Sequence, residues 1–363
     1  MARPQTDRQA CDDAQADALL KGLVERYSPS GKEGEAVAYL VEQMRTLGFQ
    51  AAVDGAGNAV GELGHGDRTI LLLGHIDTVP GFIDVRQEGN LLYGRGTVDA
   101  KGPLAAFVAA ASRVDPQPGK HIVVVGAVEE EAATSRGARF LLRQTWPDAE
   151  TAPAAVVIGE PSAWDRITVG YKGRLLVEYT LAGEIGHTAG PGKSACEKAV
   201  DFWQQVVDHA ARWNGGRERM FEQLTPSLRK IRSEDDGFVE QVSMTIGYRM
   251  PPGIDIDALQ GALTAYAGDA QLRFRGREIA FHAPKNTPLA RAFIKAIRAE
   301  GGRPLFKVKS GTSDMNVVGP AWGCPILAYG PGDSALDHTP HEHIDLGEYH
   351  RAIAVLTRVL ADL

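Results

Sequence analysis

Thr69-Ile70-Leu71-Leu72-Leu73-Gly74-His75-Ile76-Asp77 is the stretch on which the fold reading turns. Its apolar half is continuous rather than alternating, and glycine closes it. Such a run reads as a strand buried on both faces. Two more runs of the same kind follow, Ile122-Val123-Val124-Val125 and Ala154-Ala155-Val156-Val157-Ile158. Helical segments lie between and before them. Lys101 to Arg113 reads as a helix that tolerates Pro103 in its first turn. Ser135 is placed to cap a helix reaching about Gln144. Val37, Leu40, Val41, Met44 and Leu47 recur at helical spacing, and Gly48 marks the stop. Buried strands alternating with helices indicate an α/β domain, a mostly parallel mixed sheet covered by helices.

After Trp164 the rhythm changes. Strands are expected at Arg166–Gly170, Leu175–Leu181, Val239–Gly247 and Gln271–His282, with helices near Ser194–Trp213 and Asp257–Tyr266. The first pattern then returns. Thr287-Pro288 opens a helix to about Glu300, Pro325–Ala328 is a strand, and Leu346–Leu363 is a closing helix. The reading is one discontinuous catalytic domain, residues 15–165 plus 283–363, interrupted by a smaller α+β domain, residues 166–282. Residues up to about Ala14 read as a loose tail.

Bulk properties narrow the function. Lys plus Arg number 39 and Asp plus Glu 46, a net charge of −7, which argues against nucleic acid as the main partner. Cys11, Cys196 and Cys324 are scattered and form no Cys-x-x-Cys pair. That fits a reducing, cytoplasmic setting rather than a disulfide framework. The N-terminal stretch has no apolar core of a secretory signal, and no apolar run approaches a membrane span.

The chemistry lies just beyond the strands. In open α/β sheets, ligands bind outside the carboxyl ends of the strands. His75-Ile76-Asp77 follows the first strand, Glu129-Glu130-Glu131 the second, and Glu160 the third. Asp99 precedes the helix at Lys101. Each signal alone has a plainer reading: a structural histidine, a solvated acidic face, a turn cap. His-x-Asp even recurs at His343-Ile344-Asp345. The succession at consecutive strand ends carries the specificity. Such a crowd of carboxylates repels itself unless a cation joins it, and imidazole with carboxylate suits zinc, cobalt or manganese.

The chain resembles the zinc metallopeptidase family of glutamate carboxypeptidase, acetylornithine deacetylase and succinyl-diaminopimelate desuccinylase. The matching segments are Gly74–Pro80, Gly94–Gly102, Glu129–Glu131, Gly159-Glu160-Pro161 and Asp337-His338-Thr339-Pro340-His341-Glu342, in the family's order. The resemblance implies a metal-binding domain interrupted by a dimerisation (lid) domain. It implies that Asp99 bridges two metal ions, that His75 and Glu160 complete one, and that Glu131 and His338 complete the other. Asp77 orients the His75 ring, and Glu130 is the general base. The run of three glutamates leaves a one-residue slip open, with Glu129 as base and Glu130 as ligand. The chemistry is amide hydrolysis by water, a nucleophile too weak without a Lewis acid.

The resemblance extends into the insert. His187, in Gly183–Pro191, matches a histidine that reaches across a homodimer to the oxyanion. Arg249 matches an arginine that grips the substrate carboxylate, whose plainer reading is a surface ion pair. Gly311, Thr312 and Ser313 match a glycine-rich substrate loop, otherwise an ordinary turn. Two competing motifs fail. Gly190–Ser194 lacks the leading glycine of a phosphate loop, and there is no Gly-x-Ser-x-Gly elbow.

Within the family, the triple glutamate and the Gly311–Asn316 loop resemble hydrolases that release lysine or ornithine from the C-terminal glutamyl group of an amino-group carrier protein, in lysine and arginine synthesis. Acetylornithine deacetylase and succinyl-diaminopimelate desuccinylase stand as alternatives, and a metal-dependent dimeric binding protein as a non-enzymatic one. The basic stretch Arg212–Arg232 reads first as a solvated helix face, second as a patch receiving an acidic carrier.

Overall fold

The computed structural model describes residues 10–115, 117–187, 190 and 192–363. It divides into two compact units. The first comprises the chain to Gly170, His282–Lys307 and Ser313–Leu363; the second comprises Tyr171–Phe281 and Val308–Thr312. The second unit thus takes five residues, 308–312, from well beyond the continuous insert.

The first unit opens with α1 (Asp13–Glu25), α2 (Gly34–Thr46) and the hairpin β1 (Gln50–Val53) and β2 (Ala59–Gly64). Then come β3 (Arg68–His75), β4 (Arg86–Glu88), β5 (Leu91–Tyr93), α3 (Lys101–Ser112), β6 (Lys120–Ala127), α4 (Arg136–Phe140), β7 (Ala155–Gly159) and β8 (Arg166–Tyr171). The second unit holds β9 (Gly173–Glu184), α5 (Ala195–Asn214), β10 (Thr225–Asp235), β11 (Val239–Met250), α6 (Ile256–Ala267) and β12 (Gln271–Glu278). The chain returns through β13 (Phe281–His282), α7 (Pro288–Ala299), β14 (Leu305–Lys309), α8 (Met315–Trp322), β15 (Ile326–Ala328), β16 (His343–Asp345) and α9 (Leu346–Asp362).

The large sheet runs β1-β2-β6-β3-β7-β15-β8-β13, with β14 beside β8. Its centre, β6, β3, β7 and β15, is parallel, and β1, β2 and β8 join it antiparallel. Every residue of α3 is buried, as expected for a helix that is apolar all round. Its close approach is made possible by a row of glycines. Gly126, Gly74 and Gly159 stand in register across β6, β3 and β7. A Cβ on Gly159 would lie 2.9 Å from the Gly74 Cα and 2.9 Å from the Phe107 ring of α3.

The second unit is a four-stranded antiparallel sheet, β10-β11-β9-β12, with its own core. Leu175, Val177 and Tyr179 of β9 and Val242, Met244 and Ile246 of β11 are buried on one face, packed with Phe202 and Val206 of α5 and Leu259 of α6.

Three local expectations change. The tail is shorter than expected: Asp12 caps α1 through a capping box with Gln15, and Cys11 is buried. Ser135 makes no side-chain cap; its φ of +38° turns the chain sharply instead, into one α-helical turn followed by a π-helical turn at Leu141–Thr145. The basic stretch is not a helix face throughout. The helix ends at Asn214, and from Thr225 the chain is the edge strand β10. Pro226 is tolerated there because an edge strand need not donate on both sides.

Candidate active site

Strand register assembles the site. Gly74 pairs with both Gly126 and Gly159, so the residues after β3, β6 and β7 leave the sheet at one level. His75 ends β3, Glu129–Glu131 follow β6, and Glu160 follows β7. Asp99 comes from the turn before α3, and His338 from the turn before β16.

These side chains meet. His75 Nε2 lies 3.3 Å from Asp99 Oδ1 and 4.0 Å from Glu160 Oε1. His338 Nε2 lies 3.0 Å from Asp99 Oδ2 and 2.8 Å from Glu131 Oε1. Asp99 therefore touches one histidine with each of its oxygens. Ligand atoms of His75, Asp99 and Glu131 all fall within 4.8 Å of one another. His338 and Glu129 hold left-handed backbones, φ +62° and +59°. Such conformations are costly for residues with a Cβ and cluster at functional sites.

Asp77 organises the glutamate run. Its Oδ1 accepts the Glu130 N–H at 3.0 Å, and its Oδ2 accepts the Glu131 N–H at 3.1 Å and the Ser30 hydroxyl at 2.6 Å. The His75 Nδ1 is 3.0 Å from the Asp77 backbone carbonyl and 3.5 Å from its carboxylate. The carbonyl therefore accepts the Nδ1 proton and leaves Nε2 as the ring atom facing the cluster. Glu129 points elsewhere: its carboxylate accepts from Thr134 Oγ1 at 2.7 Å and from Arg136 at 3.1 Å. Glu131, not Glu129, meets a histidine, and the Glu130 carboxyl acts electrostatically on His75.

The electrostatics describe a place for positive charge. Burial works against a charge on His75, but Asp77, Asp99 and Glu130 raise its pKa well above the usual imidazole value. Hydrogen bonds to Asp99 and Glu131 push His338 up to about 11. Burial, together with Glu160, Asp314 and Glu131, holds Glu130 well above the usual carboxylate range. Burial tends to raise Asp99, yet His338 and His75 keep it low. Imidazoles drawn to accept protons by converging carboxylates have the donor chemistry that divalent ions take. His75, Asp99 and Glu131 offer donor atoms close enough together to fit a divalent metal ion.

The family model of "Peptidase family M20/M25/M40" matches residues 71–362. This chain belongs to that family. Membership makes it a hydrolase of amide bonds that depends on divalent metal ions. It is 47% identical over 360 residues to the LysW-lysine hydrolase of Deinococcus radiodurans, covering 97% of this chain and 98% of the relative. It is 39% identical over 351 residues to a putative LysW-lysine/LysW-ornithine hydrolase of Thermococcus kodakarensis, covering 95% and 91%. Among solved structures it resembles an M20 family metallo-carboxypeptidase of Sulfolobus solfataricus, with a TM-score of 0.79 at 18% identity, covering 96% and 98% of the two chains. That last likeness is one of fold.

The remaining expected residues lie elsewhere in the chain. Ser313, in the first unit, is buried, and its hydroxyl accepts the Met315 N–H at 3.2 Å at the start of α8. In the second unit, Arg249 donates to Thr312 Oγ1 at 2.9 Å, and that hydroxyl donates to the Lys172 carbonyl at 3.0 Å. Gly311 precedes it in the same short segment, with open space where a Cβ would stand. His187 is exposed beyond β9; its neighbours Thr188, Ala189 and Pro191 lie outside the described residues.

Two buried residues in this M20 peptidase escaped the sequence reading. Glu342 is fully buried. Its Oε1 accepts the N–H groups of Gly96, Val98 and Asp99 at 3.0, 3.0 and 3.1 Å, and its Oε2 accepts from Arg95 at 2.8 Å. Glu342 thus ties the segment carrying His338 to the turn carrying Asp99. Lys101, also fully buried, donates to the carbonyls of Leu23 at 3.0 Å and Arg26 at 2.7 Å, closing the end of α1. The available signals were the places of Glu342 in the Asp337–Glu342 motif and of Lys101 in the Gly94–Gly102 segment, neither of which carried chemistry of its own.

Proposed function

We propose that this chain is a two-metal amidohydrolase that releases lysine, or ornithine, from the C-terminal glutamyl group of an amino-group carrier protein, in cytoplasmic lysine or arginine synthesis. The observation that carries this reading is near full-length 47% identity to a LysW-lysine hydrolase. Zinc is the proposed ion, with cobalt as a competent substitute.

Asp99, each of whose oxygens faces a different histidine, would hold both ions. His75 and Glu160 would help to hold one, and His338 and Glu131 the other. A divalent pair in such a site supplies Lewis acidity, which polarises a scissile carbonyl and makes water acidic enough to attack near neutral pH. Glu130 is assigned as general base. It is buried, and Asp77 holds its N–H, so its carboxylate is placed to take a proton from the attacking water and pass it to the leaving nitrogen. Asp77 fixes the position of Glu130 through the Glu130 N–H. Arg249, steadied by Thr312, is assigned to the substrate carboxylate, with Gly311 and Ser313 in the same loop. His187 is assigned to the oxyanion, delivered by the partner in a homodimer. The edge strand β10, with Ile231 and Phe238 exposed on or beside it, is compatible with pairing between two copies.

Amino-acid release by metal-stripped and reloaded protein tests the reading. Zinc- or cobalt-dependent release from carrier-linked lysine or ornithine is expected, with little from acetylornithine or succinyl-diaminopimelate. Release from a small acyl amino acid alone would keep the mechanism and replace the substrate. Binding without release from any of them would favour a binding protein.

A further inference from the structure

The face of the second unit's sheet opposite α5 and α6 is strongly cationic, although the chain as a whole is acidic. Register places the charges. Arg273 of β12 lies opposite Glu178 of β9, which lies opposite Thr245 of β11, which lies opposite Lys230 of β10. The next row toward the end of β10 carries Arg232 opposite Ser243. The rows in the other direction carry Arg275 and then Arg174 opposite Arg249. Arg229 sits at the bulge of β10, where a Cβ on Gly247 would lie 3.0 Å from its Cδ. Against these stand Glu178, paired with Arg275 at 3.2 Å, Glu234, paired with Arg232 at 2.6 Å, Glu278, paired with Arg174 at 3.3 Å, and Glu184 at the far end of β9. Arg229, Lys230 and Arg273 are exposed and form no salt bridge among the described residues. Like charges directly opposite in a sheet cost stability. This face keeps more positive than negative charge despite those pairs. It also ends at Arg249 and Thr312, the groups assigned to the substrate.

We infer that this open sheet face docks an acidic surface of the protein that presents the amino acid, so that the carrier is recognised by its charge as well as by its terminal glutamyl group. The inference rests on the carrier-hydrolase reading. Complementary charge sets encounter and register, and its effect is screened by salt. The face reaches beyond the Arg212–Arg232 stretch: it takes Arg229, Lys230 and Arg232 from that stretch and adds Arg273 and Arg275 from β12.

The test compares Lys230→Glu/Arg273→Glu with wild type on two substrates, carrier-linked lysine and a glutamyl-lysine dipeptide, at low and high salt. The expected result is a fall of at least tenfold in kcat/KM for the carrier-linked substrate, carried by KM, and within about twofold for the dipeptide. Wild type should lose carrier selectivity as salt rises, and the variant should show a flatter salt response. Equal losses on both substrates, or none on either, would overturn the docking face while leaving hydrolysis intact. Lys230→Gln/Arg273→Gln, a milder pair, guards against misfolding and should give a smaller shift of the same sign. Carrier binding to the Glu130→Gln protein is measured separately. If the carrier binds there and charge reversal weakens it, but wild type hydrolyses neither substrate, docking stands and the proposed activity falls. If an oligonucleotide competes as well as the carrier at physiological salt, the face is a general polyanion site and the inference fails.

Discussion

At the ends of β3, β6 and β7 charge is buried and interlocked, whereas on the open face of β10-β11-β9-β12 it is exposed, and Arg229, Lys230 and Arg273 form no salt bridge among the described residues. In the first region two carboxylates have their places set by backbone. Asp77 receives two main-chain N–H groups and Glu342 three. In the second, the side chains extend from an exposed surface, and their mutual repulsion is relieved only in part, by carboxylates beside Arg275, Arg232 and Arg174. The difference separates two tasks. Chemistry on an amide bond needs groups fixed to within fractions of an ångström, so it is built from buried hydrogen bonds. Meeting a protein partner needs a field rather than a fixed geometry, so mobile surface charge suffices.

If this contrast is right, substitutions in the buried cluster should have large, specific effects. Glu130→Gln should have the largest, lowering kcat by about 10²–10⁴-fold while metal content, read by atomic spectroscopy, stays near wild type. Glu129→Gln should change kcat little, because its carboxylate bonds to Thr134 and Arg136 rather than facing the histidines. Turnover that survived Glu130→Gln and vanished with Glu129→Gln would move the base by one residue.

Glu342→Ala comes next. It should weaken divalent-ion affinity by about 10–100-fold in a competition titration, since supports of this kind orient ligands. It would also strand Arg95, itself buried, and removing one partner of a buried pair costs about 3–5 kcal/mol. Glu342→Gln separates the two effects. Its remaining carbonyl oxygen can keep the three N–H groups that Oε1 accepts, so metal affinity should recover more than stability does. Equal metal affinity in Ala and wild type would confine Glu342 to folding.

Gly159→Ala tests how the sheet brings the ligands level. Its Cβ would press on the Gly74 Cα and the Phe107 ring, with backbone on one side and packed core on the other. Overpacking of this kind costs about 1–3 kcal/mol, measurable as a shifted urea midpoint. An unchanged midpoint would show that α3 has room to retreat.

The same contrast explains what the sequence could reveal. Buried strands announce themselves by continuous apolar runs, and residues at their ends follow the strand. The convergence of His75, the glutamate run and Glu160 was therefore legible from their places after the strands, and that of Asp99 from its place before α3, whereas their roles, and His338 itself, came from the family resemblance. Glu342 was not, because its work is to accept backbone N–H groups, and no residue pattern reports that. Ser135 looked like a cap, but its left-handed backbone prevents capping. β10 left no signal: Thr225–Asp235 is an edge strand with little buried surface, so it shows no apolar alternation. The hairpin β1–β2 was passed over for a similar reason, since β1 is mostly exposed. The open face was invisible because it joins residues from four strands, and only register shows that Arg273 and Lys230 share a side.

The smallest expected effect bears most directly on that face. Lys230→Gln/Arg273→Gln should leave folding stability within about 0.5 kcal/mol of wild type, as exposed substitutions usually do. The sign should be toward stabilisation at low salt, because two unpaired cations leave a crowded field, and it should vanish at high salt as the field is screened. A loss of more than about 1 kcal/mol would mean that these side chains hold the sheet together through their aliphatic stems. The face would then be cationic for reasons of packing, and its contrast with the buried cluster would narrow to one of exposure. A salt-sensitive gain would instead show that the unit keeps a charge it would be more stable without, which is the expected mark of a surface kept for another molecule.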